Sequence, residues 1–470
     1  MKTFNKIFGL TVLGMTCSIG ANAQTDITMH QTPASIDTTQ TIVAQPGQWT
    51  LQACIDYALK QNISIQQNRL SAVSSQIDVA SAKADFLPNI SASVSQRIVN
   101  RPNSTNNTMI SGDLITTSTS KTSYNGSYGI DLNWTLFNGS RLNTLKQQRL
   151  NAESANLDVA ESENTIIENI TKMYIQILYS AEAIKINEST LETSRANYER
   201  SKQLFEAGSI SKADLAQLES QVSQDNYSLV TSQANLQNYK LQLKQLLELG
   251  GEEEMNLYLP EIGDDDVLTP LPSRTDVYNA ALALRPEIQA GKIDIDASDV
   301  AIKVARAGYL PTLSLSAGVG TSNANGSDFT FREQVKSNWN NSLGLTLSIP
   351  IYDKRSTKSQ IQKAKIQKRN SELQLQDKQK TLYSSIENLW LDANSAQQQY
   401  IAAKEQVKSA QTSFDLVQEQ FNLGMKNTVE LLTEQNNLLS AQQQQLQAKY
   451  MALMNEQLLN FYKGESINIE

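Results

Sequence analysis

Histidine occurs once in the 470 residues, at His30, and cysteine twice, at Cys17 and Cys54. A histidine-based catalytic triad and a His/Cys metal site therefore have almost no raw material. Long apolar runs are missing too. No stretch after the N-terminus approaches the roughly 20 apolar residues of a spanning helix. The apolar fraction, 40%, is below the roughly 45–50% usual in globular domains. These absences exclude a conventional helical membrane protein and argue against one large buried core. Proline (10) and glycine (20) are scarce for the length, so long uninterrupted segments must exist and most of the chain should be helix. The formal charge of −8 argues against nucleic acid as a partner. Neither an enzyme nor a bound cofactor is expected.

Residues 1–23 read as a cleavable signal peptide: Lys2 and Lys6 precede an apolar core over 7–17, and Ala21-Asn22-Ala23 forms a small-residue cleavage pattern. A lipoprotein signal at Cys17 is the competing reading, but Met15 and Thr16 stand where small or aliphatic residues belong. Residues 24–48, rich in Thr and Gln with Pro33 and Pro46, read as a flexible leader. Cys54 is left without a disulfide partner. Its neighbours Leu51, Ile55 and Ala58 make it a buried helix residue.

The remainder is a tandem duplication, 49–272 and 273–470. Ala58-Leu59 and Leu87-Pro88 recur at one common offset as Ala281-Leu282 and Leu310-Pro311. Leu136-Phe137-Asn138 recurs as Ile351-Tyr352-Asp353, and the Phe205 to Gly208 turn as Phe421 to Gly424. The first copy is longer by a polar stretch over 100–119, suited to an exposed loop. Each copy carries a glycine- and proline-free run on either side of its turn glycine, Gly208 or Gly424, so each should be a long helix, a turn and a shorter helix. The longer ones would reach on the order of 100 Å. Their narrow apolar stripe, with Ile166, Ile170, Met173 and Ile177 in one copy and Phe414, Val417 and Phe421 in the other, predicts long antiparallel coiled coils. The remaining Gln, Ser, Asn and Lys, including Gln442 to Gln445, read as solvated faces.

Four segments have period two instead. Ile90, Ala92, Val94 and Ile98 alternate with Ser91, Ser93, Ser95 and Arg97; Tyr128, Ile130, Leu132, Trp134 and Leu136 alternate with Gly129, Asp131, Asn133 and Thr135. Leu313, Leu315, Ala317 and Val319 alternate with Ser314, Ser316, Gly318 and Gly320; Leu343, Leu345, Leu347 and Ile349 alternate with Ser342, Gly344, Thr346 and Ser348. Such alternation marks outer-membrane barrel strands, with Tyr128, Trp134 and Trp339 as interfacial aromatics. A soluble sandwich sheet with one wet face is the alternative. Lipid tolerates only a closed sheet, and four strands cannot close, so protomers must share a barrel. Two chains would give eight strands with a filled interior; three give twelve and an aqueous lumen, which the small inward residues suit.

Phe86-Leu87-Pro88 and Tyr309-Leu310-Pro311 ahead of the strands, the two Phe-x-x-Gly turns, the strand-to-helix joints and Arg285-Pro286-Glu287 occur in duplicated order from about Trp49 to Lys463. In this the chain resembles the TolC-type outer-membrane efflux proteins. The resemblance implies a homotrimer with a shared 12-stranded barrel, a periplasmic α-barrel, and an equatorial region that includes 250–273. It implies the passive exit duct of a tripartite efflux or type I secretion system in the outer membrane, surrounded by lipid. A periplasmic adaptor would dock on the hairpin tips at Gly208, Ser209, Gly424 and Met425, and an inner-membrane transporter would supply energy. A periplasmic gate would then match Asp214, Lys426 and the aromatic Phe421. Glu430 matches one acidic ring of that family; Thr433 replaces the other, with Glu434 adjacent. The bland alternative is that these are exposed helix-start charges worth at most about 1 kcal/mol each.

Two other classes compete. An exported coiled-coil scaffold or adhesin without channel activity would lack lipid-facing strands. An exported hydrolase would need a clustered nucleophile, base and acid, and none stands out. The acidic runs Glu252-Glu253-Glu254 and Asp264-Asp265-Asp266 lack the spaced ligands of a calcium loop.

Overall fold

The structure, a computed structural model, describes residues 48–469 except 101–105, 111–112, 118–121, 251–254, 261 and 326–328. The expected signal peptide, the leader up to residue 47, Cys17, His30 and the Glu252-Glu253-Glu254 run lie outside the described residues.

Two helices, α1 (Leu51–Gln61) and α2 (Ile63–Ala84), are divided at Asn62, whose side chain accepts from the amides of Ser64 and Ile65 and so starts the second helix as the first ends. Strands β1 (Asn89–Asn100) and β4 (Thr122–Asn138) follow, then α3 (Arg141–Glu206) and α4 (Lys212–Leu246). After the short α5 (Asp264–Val267) come α6 (Arg274–Leu284), α7 (Pro286–Arg306), β5 (Thr312–Ala324), the one-loop helix α8 (Phe331–Ser337), β6 (Asn340–Ser348), α9 (Ser356–Asn422) and α10 (Thr428–Lys463). Helices α3 and α9 have 66 and 67 residues, about 100 Å each. The stretch expected as a loop departs from that reading. Its Thr- and Ile-bearing segments pair as an antiparallel hairpin of β2 (Asn106–Ile110) and β3 (Asp113–Thr117), as β-branched residues favour.

No single core holds the helices together. Ile170, Tyr174 and Ile177 of α3 pack with Ile65, Leu243, Leu446 and Leu453, and with Cys54, whose thiol burial pushes up to about 12. Val277, Ile288, Ile386 and Leu459 form a second cluster, and Phe414, Phe421, Leu431 and Leu438 a third near one hairpin tip. Polar residues read as solvated are in part buried between the hairpins. Ser194 donates to Asp225 and accepts from Gln435 at 2.5 Å, and Asn197 exchanges hydrogen bonds with Gln418 at 2.8 and 3.2 Å. Where two coiled coils of one chain meet, a second packing face is needed. Small and amide side chains supply it and hydrogen-bond across the seam, although Gln435 Oε1 is buried without a partner.

The sheet has the order β1-β4-β5-β6, with each neighbouring pair antiparallel. Its register brings like faces together: Ile90, Leu132, Ala317 and Leu343 share one rung, and Ser91, Asp131, Gly318 and Ser342 the next. Leu136 departs from the expected alternation. The register slips between Thr135 and Phe137, so Phe137 takes the place opposite Leu313 on the apolar face and Leu136 is the extra residue of a bulge.

Both long hairpins turn in the same way. Gly208 and Gly424 have φ of +74°; the amides behind them, Ser209 and Met425, bond back to the carbonyls of Leu204 and Gln420 at 2.8 Å. Together with Gly208 to Phe205 and Gly424 to Phe421, these form the paired-bond helix stop that requires a left-handed residue. Nothing lies within 4 Å of a Cβ built on either glycine, so replacement costs backbone strain alone. Gly424→Ala should destabilise the tip locally by about 1 kcal/mol, seen as several-fold faster amide exchange over residues 421–428 with exchange elsewhere unchanged.

Candidate functional site

Two surfaces bear on function. The first is the sheet. Its apolar face is open to solvent in the single chain: Val94 is 78% exposed, Leu343 78%, Ile90 66% and Leu345 66%. Five apolar rungs follow one another, from Leu347–Leu313–Phe137 to Tyr128–Val94. At two residues per rung they extend about 27 Å along the strands. Strand tilt reduces that to about 20 Å of depth, close to the ~25 Å apolar band of outer-membrane barrels. Of the aromatics, Trp339 is 58% exposed; Tyr128 meets Phe331 edge-on at 6.3 Å; and Trp134 is tied to the helix end by donating to the Phe86 carbonyl at 2.8 Å. The other face carries Ser, Thr, Asn and Gly. The outer edges of β1 and β6 pair with no further strand among the described residues. Above Gly320, where β6 begins, α8 serves β5 instead: Gln334 accepts from the Ala324 amide and Asn338 donates to the Ser322 carbonyl, each at 2.8 Å.

The second surface is the pair of hairpin tips. Asp214 and Glu430 each stand six residues past a turn glycine, and each is the third residue of its helix in a capping box. The Asp214 carboxylate accepts from Ser211 Oγ at 2.6 Å and from the Ser211 amide; Glu430 accepts from the Asn427 amide at 3.2 Å. These S-x-x-D and N-x-x-E spacings are helix-start signatures legible in the sequence, in keeping with the helix-start alternative. Lys426 pairs with Glu430 at 2.6 Å one turn along its own hairpin, while Asp214 stands apart from it within the chain. The bonds from Ser211 hold the Asp214 carboxyl below the usual range, with a contribution from Thr428 of the other hairpin. Lys426 and then the Asn427 amide do the same for Glu430. Phe421 is 6% exposed. It packs with Leu431 in the tip cluster. Glu434 accepts from Ser413 of α9 at 2.8 Å, and Thr433 donates to the Val429 carbonyl of its own helix. Met425 is 70% and Leu423 68% exposed beside Gly424, which leaves an apolar tip.

No helix among the described residues is long and apolar enough to cross a membrane, and none of their His, Cys, Asp and Glu side chains group to hold a metal ion. Asp264 accepts from Tyr400 at 2.6 Å and pairs with Lys404.

The family model for outer membrane efflux proteins matches residues 54–248 and 277–465. The outer membrane protein TolC of Salmonella enteritidis is 24% identical over 348 residues, covering 72% of this chain and 69% of that protein. The outer membrane efflux protein BepC of Brucella suis is 25% identical over 412 residues, covering 85% and 82%. Among solved structures, the CusC channel superposes with a TM-score of 0.74 at 18% identity, covering 88% of this chain and 92% of that one.

Proposed function

Because the chain belongs to the outer membrane efflux protein family, and so is an outer-membrane channel protein with a periplasmic extension, we propose that it is the passive exit duct of a tripartite efflux or type I secretion system. The observation that carries this reading is the open sheet: an exposed apolar face, a polar face of small residues, and two unpaired edges, joined directly to helices of about 100 Å. In lipid those edges would leave backbone N–H and C=O groups unpaired at several kcal/mol each. Strands β1 and β6 run in opposite directions, since three antiparallel pairings separate them. The β6 edge of one copy can therefore continue antiparallel onto the β1 edge of the next, a head-to-tail contact that closes as a ring. Three copies give twelve strands, which at ~4.8 Å spacing and ~40° tilt have a backbone radius of about 12 Å. Such a homotrimer encloses water. The same duplicated chain, 49–272 and 273–470 behind a signal peptide (1–23) and leader (24–48), continues below the membrane as an α-barrel. A periplasmic adaptor docks on the tips around Gly208, Ser209, Gly424 and Met425, and an inner-membrane transporter drives export. An exported scaffold or adhesin gives no reason for an apolar sheet face 20 Å deep.

Purified protein in detergent should have the mass of a heat-dissociable trimer and form conducting pores in planar bilayers. A monomeric mass with no conductance overturns the reading.

At the tips, three Glu430 carboxylates around the axis concentrate negative potential and favour cations. Each is partly offset by its own Lys426. We expect Lys426→Ala to raise cation selectivity and Glu430→Gln to lower it, with Asp214→Ala mainly weakening the start of α4. The pH dependence follows from the direction of the shift. A carboxyl held below its usual range stays ionised as pH falls past about 4.5 and loses its charge only through the lowered value. Lys426→Ala removes the main cause, so the reversal potential in a salt gradient should collapse at a higher pH in that variant than in the wild type.

A further inference from the structure

We propose that the barrel carries its own charge filter, separate from the hairpin tips, in which Asp131 and Arg97 form two oppositely charged rings at different depths of the lumen. The inference rests on the trimeric duct and concerns which solutes pass it.

Register fixes the placement. On the polar face β1 contributes Asn89, Ser91, Ser93, Ser95, Arg97 and Val99. The residues facing them across β4, β5 and β6 are Ser, Thr, Asn, Gly and Ala, apart from Asp131. Among the described residues of that face, Asp131 and Arg97 are thus the two charged side chains. Both are exposed, and neither has an ion-pair partner.

Asp131 is also unscreened by neighbouring side chains. It lies in register with Gly318 and between rungs that contain Gly129, Gly320 and Gly344. A Cβ at Gly318 would sit 3.0 Å from Asp131 Oδ1 and 3.0 Å from Ser342 Oγ. The carboxylate therefore occupies the space a side chain would take and looks onto a floor of glycine and serine. A carboxylate on such a floor, facing water and lacking a cation of its own, exerts its field across the lumen.

The two rings are separated in depth. Asp131 pairs with Ser91, near the helix-proximal start of β1, and Arg97 lies six residues farther along the same strand. Six residues span about 20 Å, or roughly 15 Å of depth at the strand tilt. The negative ring thus sits where the barrel meets the helices and the positive ring toward the outer mouth. Fixed charges of opposite sign in series make a pore conduct unequally at the two voltage polarities, and the ring on the side of entry sets which ions concentrate there. A solute leaving the helical tube meets the Asp131 ring first, so the filter favours cationic and zwitterionic cargo over anions.

Screening sets the size of the effect. Three carboxylates about 10 Å from the axis are largely screened at 0.15 M salt, where the Debye length is about 8 Å, but reach the axis at 0.01 M, where it is about 30 Å. Coulomb's law in water then gives about a fourfold enrichment of monovalent cations on the axis. With Cl⁻ depleted by the same factor, Asp131→Asn should lower the K⁺/Cl⁻ ratio at that depth about sixteenfold near 10 mM KCl and leave it unchanged at 1 M. It should also move the ratio of currents at opposite voltages toward one. Arg97→Gln should raise the permeability ratio at low salt, and Glu430→Gln should act independently of both. Should Asp131→Asn not assemble, Ser91→Lys places a cation at the same rung and should lower the ratio likewise. Pores of wild-type conductance whose selectivity and current asymmetry ignore both Asp131→Asn and Arg97→Gln, or ignore Ser91→Lys, overturn the filter and leave the duct standing. A wild-type protein that forms no pores overturns the duct itself, and the filter with it.

Discussion

Leu132→Arg is expected to abolish stable insertion, whereas Asn133→Arg, one residue later, should insert and lower conductance. Leu132 lies on the apolar face of the central strand β4, in the third of the five apolar rungs, with Ile90 and Ala317 beside it. In the proposed barrel that is near the middle of the bilayer, where an arginine costs about 2–4 kcal/mol. In the proposed trimer the cost recurs in each protomer, so the assembled barrel would lose about 6–12 kcal/mol, comparable to the whole stability of an ordinary domain. Asn133 belongs to the polar face, opposite Asn89 and Ser316, where an arginine stays in water. The measurement is the fraction of protein that resists extraction from outer membranes and migrates as a heat-modifiable oligomer. Equal insertion of the two variants would mean that the faces are assigned the wrong way or that the sheet does not meet lipid.

This facing was legible because a strand has only two sides. Period two in Ile90, Ala92, Val94 and Ile98 leaves one choice of inward residue, and the register then copies that choice to the neighbouring strand. The helices were equally open to reading, since the absence of glycine and proline between Gly139 and Gly208 permits little else. Legibility failed where an interaction depends on packing between distant segments. Ser194, Asp225 and Gln435 look like a solvated face in sequence and meet only because two coiled coils lie side by side; 31 and 241 residues separate the bonded pairs. The left-handed backbone at Lys354 and Arg355, with φ of +52° and +67°, carries no glycine or asparagine to announce it. It arises where β6 must swing into α9, and the Asp353 side chain accepts from the Thr357 amide at 2.7 Å to fix the start of that helix. The gate residues lie between these extremes. Their spacing from the turn glycines placed Asp214 and Glu430 at equivalent points of the two hairpins. Both also complete the capping boxes that start their helices, so a charge function must act through carboxylates already held by their own N-termini.

Arg285→Met is expected to loosen the junction of α6 and α7 with α3 and α10 by about 3–5 kcal/mol, the largest single-site effect among the helices. Arg285 precedes Pro286, which disfavours helical backbone before it, and its extended conformation ends α6 and opens α7 with proline at the first turn. The side chain that leaves this corner is 7% exposed. It donates to Glu168 of α3 at 2.7 Å and lies over the Tyr462 ring of α10, 3.7 Å from its centroid, with Phe461 on a second side at 5.2 Å. One guanidinium thus ties the start of α7 and the middle of α3 to the end of α10, joining both repeats. Burial pushes the Tyr462 phenol up to about 12, so it stays protonated and also hydrogen-bonds Glu168. Removing the arginine leaves Glu168, itself 16% exposed, with Tyr462 and a distant Lys172 at 3.9 Å. The stranded carboxylate is what makes the loss large. Arg285→Met combined with Glu168→Leu should therefore recover part of the stability, with a coupling of about 1–3 kcal/mol in a double-mutant cycle. The readout is the denaturant midpoint of the assembled oligomer, together with protease sensitivity of residues 464–469 beyond α10. If Arg285→Met alone leaves the midpoint in place, the Arg-Pro-Glu segment acts through its proline bend and not through the buried charge.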